Sequence, residues 1–187
     1  MILTISRQLA AGGREIGRLL ASELNLKYFD KKSLLDSARR SGIADDLLLR
    51  ADEHYNLFTL ALSTDSQKLF QFQTDTIRQL AQSGNCLFVG RAADYILRDR
   101  NDVFSVFLSA DISDRIRCVM TKDNLTEAEA ESFILKTDRR RADYYNFYTD
   151  KQWGDSNGYD LCLNTSRFGV KGTVKIIEES IAVAGLR

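Results

Sequence analysis

Residues 2–20 read ILTISRQLAAGGREIGRLL: an apolar run, a turn around Gly12 and Gly13, then Ile16, Leu19, Leu20 and, further on, Leu24 at helical spacing. A strand that turns through glycines into a helix aims the unpaired N–H groups of the helix start at one spot. The positive end of the helix dipole lies there too, so the turn suits an anion such as phosphate. Glycine leaves room for a close approach of backbone to ligand. Arg7 and Arg14 stand at either end of the loop, and guanidinium groups match phosphate oxygens bidentately. The bland alternative is a tight strand-to-helix turn with solvated arginines. The place of the turn, after the first strand of an alternating chain, favours phosphate. It is not a Walker A sequence, which needs a lysine and a hydroxyl residue after the last glycine; no lysine precedes Lys27.

Working outward, Cys86 to Val89 and Val103 to Leu108 are further apolar runs that read as buried parallel strands. Tyr159 to Leu163 is a later one, and Leu26 to Asp30 (LKYFD) a short one. Helical patterns fall between them, over residues 31–50, 66–83, 111–121 and 170–184. Thr126 and Glu129 have capping-box spacing for a helix running toward Tyr148. The alternation predicts an α/β fold: a doubly wound parallel sheet of about five strands covered by helices on both faces. No proline, repeat or low-complexity segment divides the 187 residues, so one domain is expected. Residues 31–84 hold helices without a strand and are expected to form a lobe over one sheet edge.

Composition excludes several classes. Lysine plus arginine and aspartate plus glutamate number 26 each, so no broad basic field exists for duplex nucleic acid and any anion site is local. No apolar run approaches a membrane span, and the opening segment lacks the basic start of a secretory signal. Cys86, Cys118 and Cys162 have neither disulfide-framework nor zinc spacing. Cys86 and Cys162 lie in apolar runs and are expected to be buried. A cytoplasmic protein is the expectation. The single histidine, His54, lies in the polar stretch DEHYN with no nucleophile motif near it, which argues against histidine-based hydrolysis.

Residues 138–148, DRRRADYYNFY, join three arginines to four aromatic rings. Read alone, the block is either a surface stacking on single-stranded nucleic acid or a helix with one charged and one aromatic face.

Three segments, TISRQLAAGGREIGRLLASEL, FVGRAADYIL and DRRRADYYNFYTDKQWGDSNGYDLCLNTS, resemble in order the cytidylate kinase-like family, a branch of the P-loop nucleoside monophosphate kinases. The resemblance implies a monophosphate-binding lobe (about 31–84), a lid (about 123–158), and nucleotide ligands rather than nucleic acid or membrane. The implied reaction transfers the ATP γ-phosphoryl group to a nucleoside monophosphate (CMP-like) or related metabolite, with Mg2+. Ser6, Arg7, Ala11, Gly12, Gly13, Arg14 and Glu15 then cover the phosphate loop. In that alignment Gly13 occupies the lysine position, and Arg14 and Glu15 replace the residues after it. Arg14 or Arg7 is the candidate for the missing charge, and Glu15 for a magnesium ligand. Arg91 matches the family's monophosphate-binding arginine; Ala92 replaces its aspartate, with Asp94 two residues on. Asp30 is either a ligand in the acceptor site, to magnesium-bound water or a sugar hydroxyl, or a cap of the helix that follows. Arg115 matches an adenine-stacking arginine, and Asn164 and Thr165 the loop on the other side of the base. Arg140 and Arg141 are the candidate lid arginines. The absent lysine and hydroxyl leave an alternative: a nucleotide-binding regulatory module without transfer activity.

Overall fold

The computed structural model describes residues 1–40 and 64–186. β1 (Ile2–Arg7) is the central strand of an all-parallel sheet. The order is β2 (Lys27–Phe29), β3 (Cys86–Val89), β1, β4 (Val103–Ser109), β5 (Leu161–Asn164). Period-two alternation sorts the side chains of β1. Leu3 and Ile5 face one layer and Ile2 the other, all nearly inaccessible. The first layer is α1 (Gly13–Glu23) and α7 (Thr165–Val183), packed through Ile16, Leu20, Val174, Ile177 and Ile181. The second is α3 (Thr64–Ala81) and the one-turn α4 (Ala93–Ile96), through Ile77, Ala81, Ala93 and Ile96 on Phe88. α2 (Lys31–Arg40) contributes Leu34 to that layer. Each fully buried leucine or isoleucine contributes about 2 kcal/mol. The sheet is therefore held rigidly from both sides.

The register positions the site. Ile5 pairs with Val89, the last residue of β3, while β1 continues beside β4 to Arg7 opposite Leu108. Ser6 and Arg7 thus overhang the end of β3, where the Gly90 amide donates to the Ile5 carbonyl at 2.9 Å. The chain goes to one side of β1 for β2 and β3 and to the other for β4 and β5. Ligands of such sheets bind at the carboxyl ends of strands around that switch.

α5 (Ile112–Asp123) and α6 (Glu127–Thr149) form a third small core through Ile116, Val119, Ala130 and Ile134. The capping box is made: Glu129 N–H donates to Thr126 Oγ1, and Thr126 N–H donates to Glu129 Oε2 at 2.9 Å. The region expected as a lid is largely this one 23-residue helix. Its far end packs beside α3, with Tyr148 stacked on Phe70 at 4.2 Å between centroids. The aromatic half of DRRRADYYNFY thus serves packing.

Some expectations shift. The last strand begins at Leu161 rather than Tyr159. The last helix begins at Thr165, with a non-helical break at Gly169 that divides it. The helix over 31–50 is described only to Arg40, and His54 lies outside the described residues. Cys86 is buried, but Cys162 is exposed. β5 is an edge strand, so the side of it that carries Cys162 is left uncovered while Leu163 faces the core. Among the described residues no helix is long and apolar enough to cross a membrane.

Candidate active site

The loop from β1 to α1 is pinned at several points. Gln8 N–H donates to Leu108 O at 3.0 Å, its side-chain oxygen accepts from Ala110 N–H at 3.1 Å, and Leu9 N–H donates to Asp138 Oδ1 at 2.7 Å. Gly12 is the N-cap in the left-handed region at φ 73°, which glycine enters at no steric cost. No side chain caps α1, so its first-turn amides have no side-chain acceptor. Two expected loop residues do not take part as side chains or amides. Ser6 is 4% exposed and its hydroxyl donates to Asp94; Ala11 is 1% exposed and its amide donates back to Gln8 O.

Arg7 dominates the site. Its stem crosses Gly13 so closely that a Cβ there would lie 2.6 Å from Arg7 Cγ. Its tip reaches Gly90, where a Cβ would overlap an Arg7 guanidinium nitrogen. Burial, together with the like charges of Arg141, Arg14 and Arg91, pushes Arg7 down to about 9. Four guanidinium groups therefore share one neighbourhood. Arg14 and Glu15 are exposed at the helix start and line the same cleft.

Arg141 is held from below. It donates to Arg7 O at 2.9 Å and lies 3.8 Å from Asp138 Oδ1, one helical turn back. Burial is the main influence lowering its pKa. Arg140, the other lid candidate, is exposed and is not among the residues lining the cleft. The helical step of 100° sends adjacent side chains in different directions, so only one of the two can face the loop.

Arg115 is a correction. It is 5% exposed, donates from Nε to Leu9 O at 2.8 Å, and forms an ion pair with Asp138. Stacking on a base is closed to it, because its guanidinium is buried beneath the loop. Asp114, Cys118 and Lys122 are the α5 residues that line the cleft.

Beyond β3 the backbone coils. Gly90, Arg91 and Ala92 have φ of 77°, 63° and 51°. Two consecutive non-glycine residues in the left-handed region are strained, and such strain gathers at functional sites. The Arg91 carbonyl accepts from Gln73 Nε2 at 2.9 Å, and the same amide group bonds Tyr144 Oη at 2.7 Å. Arg91 itself donates to Gln73 Oε1 at 3.4 Å. Asp94, expected to meet an acceptor, is 9% exposed and accepts from Ser6 Oγ at 3.2 Å and Tyr145 Oη at 2.6 Å. Burial pushes its carboxyl above the usual range, against the pull of those bonds. Its contacts tie β1 to α6. Asp30 caps α2, accepting from Lys32 and Ser33 amides at 3.0 and 3.2 Å. That is the second of the two roles read for it.

Between the loop, α5 and α7 runs a cleft of about 580 Å³. Thr165, Ser166, Gly169 and Val170 line its far wall. Asn164 does not; it is the N-cap of α7, accepting from Ser166 N–H at 3.0 Å and donating to Asp111 at 2.8 Å. The sequence reading missed Asp138, Gln73 and Gly169. The acidic residue at the head of DRRR was a visible signal for Asp138. Gln73 had none, since nothing in α3 marks which polar residue faces Arg91.

A parallel sheet in the order 2-3-1-4-5, with a glycine-bearing loop running from its central strand into a helix, defines the P-loop kinase class of fold. Residues 2–167 match the Cytidylate kinase-like family, and the chain belongs to that family. A cytidylate kinase of Methanothrix thermoacetophila is 27% identical over 100% of this chain and 98% of its own length. One of Desulfurococcus amylolyticus is 29% identical over 87% of this chain and 82% of its own. Among solved structures, an uncharacterized protein of Eubacterium ventriosum superposes with a TM-score of 0.80 at 26% identity, covering 97% of this chain and 98% of that one. Shikimate kinase of Bacteroides thetaiotaomicron has the same fold, with a TM-score of 0.60 at 15% identity over 97% of this chain and 98% of that one.

Proposed function

We propose that this protein transfers the γ-phosphoryl group of ATP to a nucleoside monophosphate, CMP-like, or a related small phosphorylatable metabolite. The observation that carries the reading is the gathering of Arg7, Arg14, Arg91 and Arg141 between an uncapped helix start and the end of β3. Phosphoryl transfer asks a protein chiefly for positioning and for positive charge around the transferred group. Loop amides and Arg14 hold the donor phosphates, Arg91 holds the acceptor phosphate, and Arg141 adds charge where it develops in the transition state. The cleft lined by Ala110, Cys118, Thr165 and Val170 receives the donor base.

Magnesium fits the donor set. Among the described residues no three acidic, histidine or cysteine side chains gather as an all-protein cage. Magnesium usually takes one or two carboxylates and completes its shell with phosphates and water, and Glu15 offers an exposed carboxylate at the loop. When bound, the ion neutralises charge between the outer donor phosphates.

The test is ATP consumption with a panel of nucleoside monophosphates, CMP included, in the presence of magnesium. Turnover with one acceptor is expected. Arg91→Ala raises the KM for that acceptor by about tenfold or more, the loss of one charge-assisted contact. ATP binding without turnover on any acceptor points instead to a nucleotide-binding regulatory module, the reading favoured by the absence of a loop lysine.

A further inference from the structure

We infer that Arg7, reaching across from the end of β1, supplies the cation that the loop lacks at position 13. Gly13 and Gly90 are then glycines because the Arg7 side chain runs over both. The inference rests on the kinase reading above and names the residue that meets the terminal phosphoryl group of the donor.

Space argues for it first. The Arg7 stem lies where any side chain at position 13 would begin, since a Cβ there would meet Arg7 Cβ at 3.1 Å and Cγ at 2.6 Å. A lysine at 13 and the observed Arg7 exclude each other. The Arg7 tip ends against Gly90, next to Arg91, so the guanidinium stands between the loop amides and the acceptor arginine. That is the position the transferred group has to pass.

Pairing argues for it second. Arg141 is engaged by the Arg7 carbonyl and by Asp138, and Arg91 by Gln73. Arg14 is exposed to water. Among the described residues the Arg7 guanidinium has neither an ion pair nor a hydrogen bond, although it is mostly withdrawn from solvent. A largely buried cation with only like charges around it destabilises the free protein. A bound oligophosphate removes that cost. The Tyr28 hydroxyl, buried and likewise without a partner, adds a second group on this side of the loop whose bonding is incomplete.

The experiment is titration calorimetry with tripolyphosphate and, separately, with adenosine. It uses the full chain and the variants Arg7→Ala, Arg7→Met, Gly13→Ala and Arg7→Ala/Gly13→Ala. Arg7→Met keeps most of the methylene stem and controls for lost packing. Both Arg7 variants are expected to bind tripolyphosphate about 30-fold more weakly, the loss of a bidentate charge-assisted contact. Adenosine affinity should stay unchanged, and the melting temperature of ligand-free Arg7→Met should equal or exceed that of the wild type. Gly13→Ala weakens tripolyphosphate binding about tenfold by displacing Arg7, and that effect vanishes in the Arg7→Ala background. Undiminished tripolyphosphate binding by the Arg7 variants, or additive effects of the two substitutions, overturns the inference alone. Failure of the wild type to bind tripolyphosphate overturns both the inference and the proposed function. Absence of turnover with every acceptor, with the Arg7 results as expected, overturns the proposed function only.

Discussion

The two sides of the loop between β1 and α1 treat arginine in opposite ways. Around Gly13, the charges of Arg141, Arg14 and Arg91 raise the electrostatic cost of Arg7, whose guanidinium has no partner among the described residues. On the other side of the same loop, Asp138 accepts from Leu9 N–H, pairs with Arg115 and lies near Arg141. There the buried Arg115 has its counter-charge. The Asp138 clamp is structural: it fixes the loop to α6 and sets Arg141 beneath it. The Gly13 neighbourhood is where we propose that a ligand's negative charge completes the balance.

Breaking the clamp should have the largest effect. Asp138→Ala leaves Arg115 buried without its counter-charge and is expected to lower stability by about 3 kcal/mol, the usual size for one half of a buried pair. Denaturant unfolding measures it. Asp138→Asn, which can still accept from Leu9, should lose less. An unchanged unfolding midpoint for Asp138→Ala would place the clamp among decorative contacts.

A smaller loss is expected at Asp94, the site's buried carboxylate. Tyr145→Phe removes one of its two side-chain donors and should cost about 1–2 kcal/mol at neutral pH. Asp94 titrates higher in the fold than unfolded, so its ionised form is the disfavoured one, and the deficit of the variant should shrink as pH falls through the folded pKa. Urea midpoints at pH 7 and pH 5 give the comparison.

The unpaired arginine has its own pH signature. Arg7 lies near 9 in the fold against 12.5 unfolded, so above pH 9 the unfolded chain binds the extra proton. Stability attributable to Arg7 is therefore reduced below about 9 and recovers as pH rises through it. Measured as wild type minus Arg7→Met between pH 8 and 10.5, the difference should move in favour of the wild type, by at most about 1.4 kcal/mol per pH unit, the slope of one proton. A flat difference would mean that the neighbouring arginines do not press on Arg7.

The smallest effect separates the two lid candidates. Arg140→Ala should change turnover and KM by no more than about twofold, as for a solvated charge. Arg141→Ala, removing a charge beside the loop, should lower kcat by at least about tenfold. Equal losses would show that α6 turns or moves on binding to bring Arg140 in.

Local chemistry let the sequence settle a good deal of this protein. The strand–glycine–helix stretch at residues 2–20, the runs at Cys86 and Val103 and the Thr126 capping box depend on periods and turn residues a few positions apart, and they are found where they read. The parallel α/β class followed from their alternation. Only the tertiary structure decided which arginines line the cleft and which are consumed by the fold. Arg7, Arg91, Arg115 and Arg141 carry the same charge, and residue type does not tell them apart. Arg7 runs against Gly90, Arg91 bonds Gln73, Arg115 pairs with Asp138 and Arg141 donates to the Arg7 carbonyl, each across a long stretch of chain; what a charge does is set by the neighbour it finds, and that neighbour is non-local.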